Sequence, residues 1–251
     1  MAEGRSQKSL GAFCEELGPE RSTRLDVVTM DMCAPYIAEV RGRAPNARIA
    51  FDPFHVVKLA GEAVHEVRRS EARERKGTPD AAVLKGSRWA LLKAPERQTD
   101  EDRLKLAEVG KLNRRVYSAY LLKEELRALY RCGARAARRH LSAWLAWASR
   151  SRLAPFVKLS RTLRKYRDGI LAAIELGVSN GKLEGINNKI GVIKHRAYGF
   201  HSAATLIAMV FLCCSSIQIT LPVWPRKERD IKEAPARRTR RSGRTRRNRR
   251  R

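Results

Sequence analysis

Three features of the 251-residue sequence predict an α/β fold that is mostly helical. Two β-branched runs of strand length, RLDVVTMDM and ARIAFD, flank one helix-length segment. About a hundred residues of helical apolar spacing with no strand signal follow them. A last helical pattern lies in SNGKLEGINNKIGVIKHRAYGF, residues 179–200.

SQKSLGAFCEELGPE predicts an opening helix with Leu10, Phe13 and Leu17 on one face, ended by Gly18-Pro19. The first strand then runs to Asp31. Pro35 suits the first turn of a short helix, APYIAEVRG, and the second strand ends at Asp52. Strand, helix and strand at this spacing make a βαβ unit with parallel strands. Both acids therefore stand at strand C-terminal ends, the edge where open α/β sheets place their sites.

From Pro53 to about Arg75 the pattern is helical, with Val57, Ala60, Val64 and Val67 on one side. KGTPDAAVLKGSR reads as a break, and Thr99 as the N-cap of the helix TDEDRLKLAEVG. LNRRVYSAYLLKEELRALYRC follows, separated by Gly133 from AARRHLSAWLAWASR. Pro155 opens FVKLSRTLRKYRDGILAAIELG. In the final pattern Leu183, Ile186, Ile190, Ile193 and Ala197 step three and four residues apart, which predicts a buried stripe. Glu184, Asn187, Asn188, Gly191 and His195 lie beside that stripe.

Lys and Arg number 53 against 26 Asp and Glu, a net charge of +27 that favours polyanions, chiefly nucleic acid. Residues 226–251 hold 14 basic and three acidic residues, which leaves +16 on the rest. That tail has too few apolar side chains to offset ordering, and reads either as a nucleic-acid arm or as frame-shifted read-through. The five cysteines show no metal-ligand spacing, and reduced thiols in a cytoplasm are the default. MAEGRSQKSL lacks the apolar core of a signal peptide. Residues 202–225 carry no charge, but interruptions such as Ser215, Gln218 and Pro222 favour a buried helix over a membrane span.

Cutting and joining DNA strands is commonly run by two Mg²⁺ ions held by about three carboxylates on rigid elements. Asp31 at a strand end and Glu184 on a helix are suitable acids on suitable elements. Asn187, one turn on, can orient the Glu or touch a phosphate. Lys182, Lys189, Lys194 and Arg196 are the predicted phosphate contacts. Two acids do not make a site, however, and a strand-terminal Asp often only caps the next helix.

TMDM, then FDPFHVVK about twenty residues on, then a long helical stretch and SNGKLEGINNKIGVIKHRAYGF, resemble the insertion-sequence transposases of the ISL-three type. The resemblance runs from about residue 5 to residue 215. It implies the DDE superfamily, an RNase H-like core, Mg²⁺ as cofactor and DNA as partner in the cytoplasm or nucleoid. Under it, Asp31 matches the second acid of the triad and Glu184 the third. Asp52 and His55 match an accessory D-x-x-H signature, and the helical middle with Trp89 matches an insertion before the third acid.

The implied organisation is a partial core over 1–60, a helical insertion over 61–176, core helices with the third acid over 177–225, and the basic tail. Gly191 and His195 depart from the basic residues expected there. The family's first acid has no counterpart in this sequence, since Asp26 would point from mid-strand. The expectation is a truncated, catalytically incompetent fragment that folds poorly alone or forms a helical body with a loose N-terminal part, with a homo-oligomer or a full-length transposase as partner. A non-enzymatic basic DNA-binding protein, and a nuclease recruiting an acid from elsewhere, are the other readings. Trp89, Trp144 and Trp147 are read as core packing.

Overall fold

The computed structural model describes residues 7–215, apart from the side chains of residues 182–184. The predicted tail therefore lies outside the described residues. Helix α1 (Gln7–Leu17) is followed by a short α2 (Pro19–Thr23), which Gly18 introduces at φ 82°. Strand β1 (Val27–Met30), helix α3 (Ala34–Arg43) and strand β2 (Arg48–Phe51) form the predicted βαβ unit. The strands pair in parallel, with Val27 opposite Arg48 and Met30 opposite Phe51.

The helical body comprises α4 (Pro53–Glu74), α5 (Pro79–Gly86), α6 (Arg88–Leu92), α7 (Asp100–Leu112), α8 (Arg114–Ala128), α9 (Ala134–Arg150) and α10 (Ala154–Lys165). α4 is its spine and buries Val56, Ala60, Val64 and Val67 against α8 and α10. Thr99 caps α7 through a reciprocal capping box with Asp102. Trp144 is buried and donates its indole N–H to the Leu122 carbonyl at 2.8 Å.

α11 (Arg167–Leu176) returns to the sheet and packs along β2, burying Ala172 and Ala173 against Ala50. Gly169 permits this seat: a Cβ there would overlap the Phe51 ring and stand 3.2 Å from the Ile49 carbonyl oxygen. Finally α12 (Gly181–Arg196) and α13 (Ala203–Cys214) pack on each other.

Several expectations are corrected. The break at residues 76–88 contains α5, started by Pro79 and anchored by buried Ala81 and Leu84. The helix opened by Pro155 is two helices, because the chain turns at Tyr166 to bring α11 onto β2. Phe13 is exposed, as are Trp89 and Trp147. The stripe on α12 is not buried: Ile186 and Ala197 are exposed, and Ile190 and Ile193 half-buried. On α13 only Val210 is buried, with Met209, Phe211 and Leu212 exposed. An apolar stripe records which face wants cover, not whether cover is present. Among the described residues no helix is long and apolar enough to cross a membrane.

Candidate active site

The parallel pairing brings both strand ends to one edge, where Asp31 follows β1 and Asp52 follows β2. The Asp52 N–H continues the ladder by donating to the Met30 carbonyl at 3.1 Å. The two acids nevertheless have different surroundings. The Asp31 side chain is 48% exposed, and the His55 ring faces it, with Nδ1 3.5 Å from Asp31 Oδ2.

Asp52 is buried, and both of its oxygens are engaged. Oδ2 accepts the His55 backbone N–H at 3.2 Å, which makes Asp52 the N-cap of α4. Oδ1 accepts the Asn180 backbone N–H at 3.1 Å. Asn180 is the N-cap position of α12, so one carboxylate fixes the start of α4 and ties the start of α12 to the sheet edge. Nearby, burial first and then the charge of Asp52 push the Tyr130 hydroxyl well above its ordinary value. That hydroxyl is buried without a partner among the described residues, as is Asn180 Oδ1.

D-x-x-H thus does two jobs. Its Asp caps and clamps, while its His, on the first turn of α4, turns its ring toward Asp31. The clamp by Asp52 and the place of Tyr130 went unforeseen in the sequence. SNG before an amphipathic run marks Asn180 as a helix start, but nothing local says which group meets its amide.

The backbone of Lys182 and Glu184 lies in the first turns of α12; their side chains lie outside the described residues. Asn187, Lys189, Lys194 and Arg196 are exposed along the same helix. Their side chains have no hydrogen-bond or ion-pair partner among the described residues.

Carboxylates at a strand end are the donors a divalent cation takes. Asp31 fits: it is an open carboxylate oxygen donor at the end of a strand. Asp52 is the less open donor, because it is buried and each of its oxygens already accepts a backbone N–H group. Among the described residues no group of three metal-ligating side chains converges.

A family model described as Transposase, of the DDE ISL-three type, matches residues 1–210. The chain is 36% identical over 244 residues to a transposase for insertion sequence element IS1557 from Mycobacterium tuberculosis, covering 88% of this chain and 55% of that protein. It is 34% identical over 200 residues to a transposase for insertion sequence element IS1001 from Bordetella parapertussis, covering 78% and 49%. The chain thus spans about half the length of the curated relatives it matches. No solved structure matches it. With a family match over most of the sequence, and with the Asp31 and D-x-x-H positions meeting at one sheet edge, the chain belongs to the ISL-three type transposases of the DDE group.

Proposed function

We propose that this chain carries part of the DNA-cutting centre of a transposase, with Asp31 and Glu184 as two of its three metal-binding acids. The observation that supports this most directly is the Asp52 clamp, which draws the first turn of α12 to the edge where Asp31 stands open. Mg²⁺ is the proposed metal; bound there, it would activate the attacking oxygen and stabilise the leaving one. His55 orients the Asp31 carboxylate. Lys182, Lys189, Lys194 and Arg196, with Asn187, hold the DNA backbone alongside.

The first acid is proposed to come from a strand added beside β1, which would extend the sheet toward an RNase H-like core. Asp26 accepts from Arg48, and Met30 from Asp52, so by alternation the backbone groups of Val27 and Thr29 face away from β2. We accordingly propose that these 251 residues do not complete the catalytic centre by themselves and are catalytically incompetent alone. They would act with a full-length transposase or a second copy, in the bacterial cytoplasm on the nucleoid.

Iron-directed backbone cleavage tests the shared metal site. With Fe²⁺ and ascorbate, cuts are expected near residues 31 and 184, suppressed by Mg²⁺ and by Asp31→Asn or Glu184→Gln. Cuts at one position only would remove the shared site. Retained DNA binding with no cuts at either position would favour the non-enzymatic DNA-binding reading. Mg²⁺-dependent nicking of plasmid by the isolated chain would refute its incompetence.

A further inference from the structure

The largest groove among the described cavities runs along α4, away from the carboxylates. It encloses about 1170 Å³ and extends from Phe54 to Arg73 on α4. Those residues are about 28 Å apart along the helix at 1.5 Å per residue. The opposite wall comes from Arg88 and Leu92 of α6, the 3-10 turn Pro95–Arg97 and the α8 residues Lys123, Glu124 and Arg127.

The groove's cations divide into two sets. Lys93, Lys123 and Arg127 are neutralised by Asp102, Glu124 and Glu96. Lys58, Arg69, Arg73, Arg88 and Arg97 form no ion pair among the described residues, and neither do the carboxylates Glu62 and Glu66 on the floor. Cations therefore predominate among the uncompensated charges. His65 reports the resulting field: burial, then Arg68, Arg88 and Arg69, hold its imidazole below its ordinary value. At the head of the groove Phe54 is 64% exposed, next to His55 in the chain, with no aromatic neighbour stacked on it among the described residues.

An aromatic face at one end of a cationic channel is how proteins hold single strands: the ring stacks a base and the cations follow the backbone. A small metabolite would leave most of this length unfilled. An acidic peptide would use the cations but leave the Phe54 ring without a function. We infer that the α4 groove is a track for one nucleic-acid strand, with Phe54 stacking a base beside the Asp31–His55 pair and Arg69, Arg73, Arg88 and Arg97 gripping phosphates. The inference rests on the proposed function for where the strand comes from, but its test does not involve cleavage.

The test is anisotropy of fluorescein-labelled oligothymidylate, single-stranded or paired with oligoadenylate, on the full chain in EDTA. Phe54→Ala should weaken single-strand binding roughly fivefold or more with an unchanged salt slope. Arg69→Ala with Arg73→Ala should lower that slope by about 1.4, at ~0.7 per phosphate contact. Duplex affinity, which reports charge held elsewhere, including the basic residues 226–251, should stay within about twofold by comparison.

All three side chains are exposed, and the thermal midpoint of each variant checks the fold. Arg88→Ala with Arg97→Ala, on the other wall, provides an independent pair expected to give the same slope change. Equal losses on single strand and duplex would overturn the inference, as would no loss at all. Polyglutamate displacing the strand regardless of Phe54 would assign the groove to acidic peptides instead. A chain that binds as expected yet lacks the iron-cleavage signature would keep the track and lose the metal site; the reverse result would do the opposite.

Discussion

At the scale of single residues, the same side-chain type serves opposed ends. Asp31 keeps its oxygens open, whereas Asp52 spends both on backbone amides. An amide has one acceptor oxygen, so Asp52→Asn must leave either the His55 or the Asn180 N–H without its partner. A loss of about 1–2 kcal/mol in urea unfolding is expected, with faster exchange at the Asn180 amide. Unchanged exchange there would mean the tie to α12 does not hold in solution. Asp102 gives a prediction in pH. The Lys93 ammonium first, then the Thr99 backbone N–H, hold its carboxyl at about 2, below an ordinary 3.8. A depressed carboxylate contributes its stability above the unfolded value and loses it as pH falls through the folded one. That contribution is complete above about pH 4 and disappears toward about pH 2. Asp102→Asn should therefore narrow the difference between urea midpoints measured at about pH 6 and about pH 3.

At the scale of elements, α11 depends on one missing Cβ. Gly169→Ala would drive a methyl into the Phe51 ring, which Tyr166 holds edge-on at 5.3 Å. The expected cost is about 1–3 kcal/mol in urea unfolding, and the loosened seat should raise exchange in β2. Elements legible in the sequence were those with local signals: the β-branched runs, Pro35 and Pro53 at helix starts, the Thr99 cap and the Gly133 break. The turn at Tyr166 had no such signal, because the sheet waiting for α11 dictates it. The α12 stripe shows the converse, with a correct period and a wrong burial. The site divides the same way. Asp31 and His55 could be named from motif and position, while the Asp52–Asn180 bond joins residues 128 positions apart and has no local trace.

At the scale of the whole molecule, apolar side chains stand exposed among the described residues. Met209, Phe211 and Leu212 on α13, with Val192 on α12, are exposed on packed neighbours. Phe211→Ser with Leu212→Ser should reduce concentration-dependent association in sedimentation velocity; unchanged association would locate the adhesive surface elsewhere. The edge of β1 gives a second molecular test. The Val27 and Thr29 amides should exchange faster than those of Val28 and Met30, and become protected when another strand docks. Equal protection in the isolated chain would mean that edge is already bonded.

The Asp52 clamp has a topological consequence. Holding the amides of His55 and Asn180 on one carboxylate closes the intervening chain into a ring at its base. Closure entropy rises only slowly with ring size, so helices can be gained or lost far from the base at little cost to its geometry. A protease nick at the exposed Gly77–Thr78 turn, with Gly77 at φ 92°, would accordingly leave two pieces that stay docked and elute as one.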